Sequence, residues 1–131
     1  MYELQITLIS AAVAALINLW LAFRCGSVRG KEKIMHGDGG NPMLMRRMRA
    51  QANFVEYTPF ALILVGVLEA SGFGGWPLAL AAGLFLLGRV LHGIGMDREG
   101  PAKPRMIGML LTLPILIGLA VTALLAALDF I

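Results

Sequence analysis

Four long apolar runs divide the chain, separated by two polar connections and one very short turn. The first run, from about Leu4 to Phe23, contains only Asn18 and a few Ser, Thr and Gln as polar positions. It predicts a spanning helix over about residues 4–24, with Asn18 in an interhelical hydrogen bond. A polar connection follows and ends in His36-Gly37-Asp38-Gly39-Gly40-Asn41-Pro42, a cluster of turn formers. Asn41-Pro42 reads as an N-cap with proline at the first helical position, which opens a second helix over about 42–70. Pro59 inside it predicts a bend, and Glu69 at its end is expected to face the opposite membrane interface. Ser71-Gly72-Phe73-Gly74-Gly75 is too short for anything but an antiparallel return. The third helix is expected over about 76–97, with Trp76 as an interfacial anchor. A fourth, over about 105–128, contains Pro114 and follows a connection broken by Pro101 and Pro104.

Composition turns these four helices into a membrane protein. Of 131 residues, 58% are hydrophobic and 15% charged, whereas soluble domains are about half apolar and a quarter charged. Four spans use nearly the whole length. The expected fold class is all-α: an integral membrane four-helix bundle, one domain over residues 1–131. The start, Met1-Tyr2-Glu3, has no basic segment of a cleavable signal peptide. One cysteine, Cys25, rules out a disulfide within the chain. His36 and His92 lie far apart without a Cys or carboxylate cluster, so no metal site is expected.

The net charge of +3 is modest, but its placement is informative. Arg24, Arg29, Lys31, Lys33, Arg46, Arg47 and Arg49 fall in or beside the first polar connection, and Arg98, Lys103 and Arg105 at the second. Arg89 alone of the 11 basic residues lies outside these groups, and close to the second. Glu3, Glu69 and Asp129 mark the other side. The positive-inside rule places both polar connections in the cytoplasm and both termini outside. No nucleic acid is expected as a partner.

The polar start of the second helix carries the candidate chemistry: Arg46-Arg47-Met48-Arg49-Ala50-Gln51-Ala52-Asn53-Phe54-Val55-Glu56-Tyr57-Thr58-Pro59-Phe60. Arg49, Asn53, Glu56 and Tyr57 stand at i, i+4, i+7 and i+8, on one helical face. Together they offer a guanidinium, an amide, a carboxylate and a phenol. That set suits a small amphoteric ligand at the membrane boundary. The basic groups alone would equally suit anionic lipid headgroups. A nucleotide is disfavoured, because no phosphate loop is present. On the third helix Arg89 and His92 lie one turn apart, and Arg89 either marks a site or snorkels to the interface.

The string Arg49-Ala50-Gln51-Ala52-Asn53-Phe54-Val55-Glu56-Tyr57-Thr58-Pro59 closely resembles the signature of the MAPEG family, the membrane-associated proteins in eicosanoid and glutathione metabolism. Gly37-Asp38-Gly39-Gly40-Asn41 and Gly88-Arg89-Val90-Leu91-His92 resemble its bacterial branch. The resemblance implies a homotrimer, with glutathione held between subunits at the cytoplasmic side of a bacterial inner membrane. It implies glutathione contacts from Arg49, Asn53, Glu56 and Tyr57 of one subunit and Gln51 of the next. Arg29, or Arg24, would supply a further cation, and His92 would stand where leukotriene synthases carry a tyrosine. A second such tyrosine falls on Met96, which cannot donate a hydrogen bond. Arg105, or Lys103, would hold the thiolate. The implied activity is transfer of glutathione to a lipophilic electrophile, or reduction of a lipid hydroperoxide. Binding of lipid or glutathione without catalysis is the alternative within the same family.

Overall fold

The computed structural model describes residues 3–131. Four helices run α1 (Gln5–Glu32), α2 (Pro42–Leu68), α3 (Trp76–Gly95) and α4 (Lys103–Ala127). Each is long and apolar enough to cross a membrane, and the chain is an all-α integral membrane bundle. Contacts fix the directions. Thr7 lies beside Gly66 and Glu69, Asn18 meets Gln51, and Arg24 meets Arg47, so α1 and α2 are antiparallel. Gly88 and Gly95 of α3 lie against Gly108 and Arg105 of α4, which makes that pair antiparallel too.

Helix α1 extends beyond the expected end near residue 24. The apolar run stops there, but Arg24 to Glu32 contains no proline, and the helix continues in polar sequence until Lys33 turns left-handed at φ 56°. At 1.5 Å per residue its 28 residues span about 42 Å. The hydrocarbon layer is about 30 Å thick, so the extra turns project from it. Helix α2 starts as its sequence dictates: Asn41 Oδ1 accepts from Leu44 N at 2.9 Å, with Pro42 at the first position. It closes in a wider π turn over Glu69–Phe73, where Gly72 takes φ 90°. The Glu69 carboxylate accepts from the backbone N–H groups of Ile6 and Thr7, both at 2.8 Å, and from Thr7 Oγ1 at 2.6 Å. It satisfies amides at the start of α1 that the helix itself leaves open, and its negative charge suits that helix end.

The core has two apolar clusters. One joins Ala14, Ile17 and Leu21 of α1 to Ala50, Phe54 and Ala61 of α2 and to Phe85 and Leu86 of α3. The other, towards the short turn, joins Val65 and Leu68 to Leu78, Ala82 and Leu119. Towards the polar connections α3 and α4 touch backbone to backbone. A Cβ on Gly108 would lie 2.5 Å from Gly88 O and 2.6 Å from His92 N, and one on Gly95 would overlap the Arg105 backbone. Glycine at these positions sets where the first turn of α4, and Arg105 with it, rests on α3.

Candidate functional site

The basic ends of all four helices gather at one end of the bundle. Asp97, just after α3, is the hub. Its carboxylate pairs with Arg24 of α1 at 2.5 Å and, through two bonds of 3.1 Å, with Arg47 of α2. Arg24 also donates to Gly93 O at 2.8 Å and lies 4.8 Å from the Trp20 ring centroid. Arg47 donates to Arg24 O at 3.0 Å. Burial raises the Asp97 carboxyl, but the bonds from Arg47 and the charge of Arg24 outweigh it and hold the group below the usual carboxylate range. Glu99 lies 3.6 Å from Arg46. The α3–α4 connection is thereby tied to α1 and α2.

The residues singled out on α2 divide between two faces. Arg49 and Glu56 stand 3.9 Å apart, with 59% and 54% of their side chains exposed. Asn53 and Tyr57 are half-buried beside them and turn towards α3, where Arg89 donates to Asn53 Oδ1 at 2.5 Å and lies 5.6 Å from the Tyr57 ring centroid. Gln51 faces α1 instead, and its Nε2 is 3.4 Å from Asn18 Oδ1, the interhelical contact expected of Asn18. Arg29 lies on that same side. It donates to Gly37 O at 2.7 Å and to Met48 Sδ at 3.5 Å, bracing the glycine-rich loop. Arg24, the other basic residue in question, is committed to Asp97 and Gly93.

His92 is buried where α3 abuts Gly108, and Met96 is half-buried nearby. Arg105 is exposed on the first turn of α4, and Lys103 is exposed at its start. Arg105 lines a groove of about 540 Å³ with Glu99, Pro101, Met106, Met109 and Leu110. Its walls are mostly apolar, with one guanidinium and one carboxylate, so an apolar molecule could rest there against a cation.

Arg89 does not snorkel. Only 2% of it is exposed, and Nη2 reaches Met109 Sδ at 3.5 Å across to α4. Its neighbours one turn away, Phe85 and His92, are buried in the bundle as well. The Asp97 hub escaped sequence reasoning because its partners lie 50 and 73 positions away, on two other helices. Inner membrane protein YecN of Escherichia coli strain K12 is 29% identical over 95 residues, 72% of each chain. The protein of the same name in Escherichia coli O6:H1 matches to the same extent. The MAPEG family model matches residues 7–125. The four spans, the α2 motif and this match together place the chain in the MAPEG family.

Proposed function

We propose that this chain binds glutathione on the Arg49–Glu56 face of α2 and activates it as a thiolate for attack on lipophilic electrophiles or lipid hydroperoxides. One observation carries the reading. With Glu69 taken as the far membrane interface, Glu56 lies 13 residues, about 20 Å, along α2 from it, inside a hydrocarbon layer about 30 Å thick. Yet its side chain is more than half exposed. A charge facing lipid at such a depth costs a few kcal/mol. A polar ligand and a neighbouring copy of the chain would together cover it.

The division of α2 into two faces supports a site shared between copies. Gln51 and Arg29 make their contacts on the α1 side, while Arg49 and Glu56 are exposed together, an arrangement that suits a ligand held between two subunits. A homotrimer, as in the family, meets that condition. The YecN relatives are named as inner membrane proteins, which supports the same location here, with the basic end in the cytoplasm.

Arg105 is the proposed activating residue. A free thiol with a pKa of about 8.5 is mostly protonated at neutral pH. An adjacent guanidinium favours the thiolate, and the surrounding lipid strengthens the pairing. A shift of two units corresponds to about 2.7 kcal/mol. In conjugation the sulfur electron pair forms an S–C bond while the leaving group departs with its own pair. In hydroperoxide reduction two glutathiones yield the disulfide, an alcohol and water. Cys25 takes no part.

Binding without catalysis is the second reading. It is favoured by the burial of His92 and by Met96, which brings no hydroxyl to the site. Ultraviolet thiolate absorbance of bound glutathione separates the two. Wild type in nanodiscs should show a thiolate band at neutral pH, and Arg105→Ala should lose it while retaining glutathione. Binding with no band in either protein would sink the catalytic reading.

A further inference from the structure

Among the described residues Arg89 is a fully buried cation with no carboxylate within ion-pair distance. Its Nε has no hydrogen-bond partner, and its short bond runs to an uncharged amide, Asn53 Oδ1. Guanidinium stays protonated and donates only, whereas a carboxamide can turn either its oxygen or its NH2 towards a neighbour. Arg89 therefore settles which way Asn53 points. With Oδ1 held inward, Nδ2 is directed away from Arg89, and it makes no hydrogen bond among the described residues. Asn53 is half-buried beside exposed Arg49 and Glu56, so this NH2 belongs to the polar face of α2.

We propose that Arg89 is a positioning residue that fixes Asn53 as a hydrogen-bond donor, so that the ligand group docking at Asn53 is an oxygen acceptor. The inference rests on the glutathione reading of this face and sharpens it. Arg49 and Asn53 take acceptor oxygens, as carboxylates and peptide carbonyls present, and Glu56 takes the ammonium end. A ligand that brings a donor to Asn53 is rejected, because Arg89 prevents the amide from flipping.

The test uses the full chain in nanodiscs, with glutathione affinity and unfolding midpoint measured on wild type, Asn53→Asp, Arg89→Lys and Arg89→Met. Asn53→Asp keeps the size and the oxygen facing Arg89, but converts the outward group from donor to acceptor. Its glutathione affinity should fall about tenfold or more, while its midpoint holds or rises through pairing with Arg89. Arg89→Lys, still a donor only, should keep most of the affinity. Arg89→Met frees the amide and should lose about as much as Asn53→Asp. A merely structural role for Arg89 would not produce this rescue by lysine together with a stable, non-binding Asn53→Asp. Wild-type affinity in Asn53→Asp would overturn the proposal, and so would a lowered midpoint, which would mean that Arg89 does not hold Oδ1. Absence of glutathione binding in the wild type would remove the glutathione reading by itself. The midpoints would still decide whether Arg89 pins the amide.

Discussion

Gly108→Ala lowers the stability of the bundle by about 3 kcal/mol, towards the upper end of the cost of overpacking a tight core. The added Cβ would sit 2.5 Å from Gly88 O and 2.6 Å from His92 N. Both are backbone atoms of α3, so no side-chain rotation relieves the overlap. The helices must separate, and with them the contact between Gly95 and the Arg105 backbone. Gly118→Ala is the control. A Cβ there meets nothing within 4 Å, and alanine in a helix is favoured over glycine by about 0.5–1 kcal/mol. Unfolding in mixed micelles should therefore show one variant strongly destabilised and the other neutral or slightly stabilised. Equal midpoints would contradict a backbone contact between α3 and α4.

Asp97→Asn should cost about 2 kcal/mol. The carboxylate lies between two guanidiniums whose side chains are 14% and 21% exposed, while its own is 30% exposed. Removing its charge leaves both cations part-buried without a counter-ion. The pH dependence carries the signature. Because the folded carboxyl lies below its usual value, its stabilisation is complete above the unfolded pKa of about 3.9 and is lost as pH falls through the folded value. Wild type should lose stability below about pH 4 by an increment that Asp97→Asn lacks. Parallel acid profiles of the two proteins would show that the hub contributes nothing.

These two sites mark the limit of what hydropathy and motif could show. The four spans were legible because each apolar run is long enough to cross a bilayer, and Asn41-Pro42 announced the start of α2. The α1 extension was not, since a helix leaving the membrane loses its apolar signal without losing its backbone preference. The alignment of Arg49 with Glu56 followed from helical spacing alone, whereas a separate place for Gln51 was implied only by the family resemblance. Arg89 illustrates the opposite case. Its own helix left it free to turn either way, and the decision came from Asn53 on α2 and Met109 on α4. Glu69 was placed at the correct end, but its bonds to the start of α1 depend on how two antiparallel helices align in register.

The most direct measurement is glutathione titration of the full chain in nanodiscs, on wild type, Arg49→Ala and Glu56→Gln. Both residues are exposed in the single chain and joined only by a 3.9 Å contact, so neither change should unfold the bundle. Saturable binding in the wild type, weakened about tenfold or more in each variant, is the outcome predicted by a glutathione site on this face. Wild-type affinity in both variants, or no binding in any of the three, would contradict it.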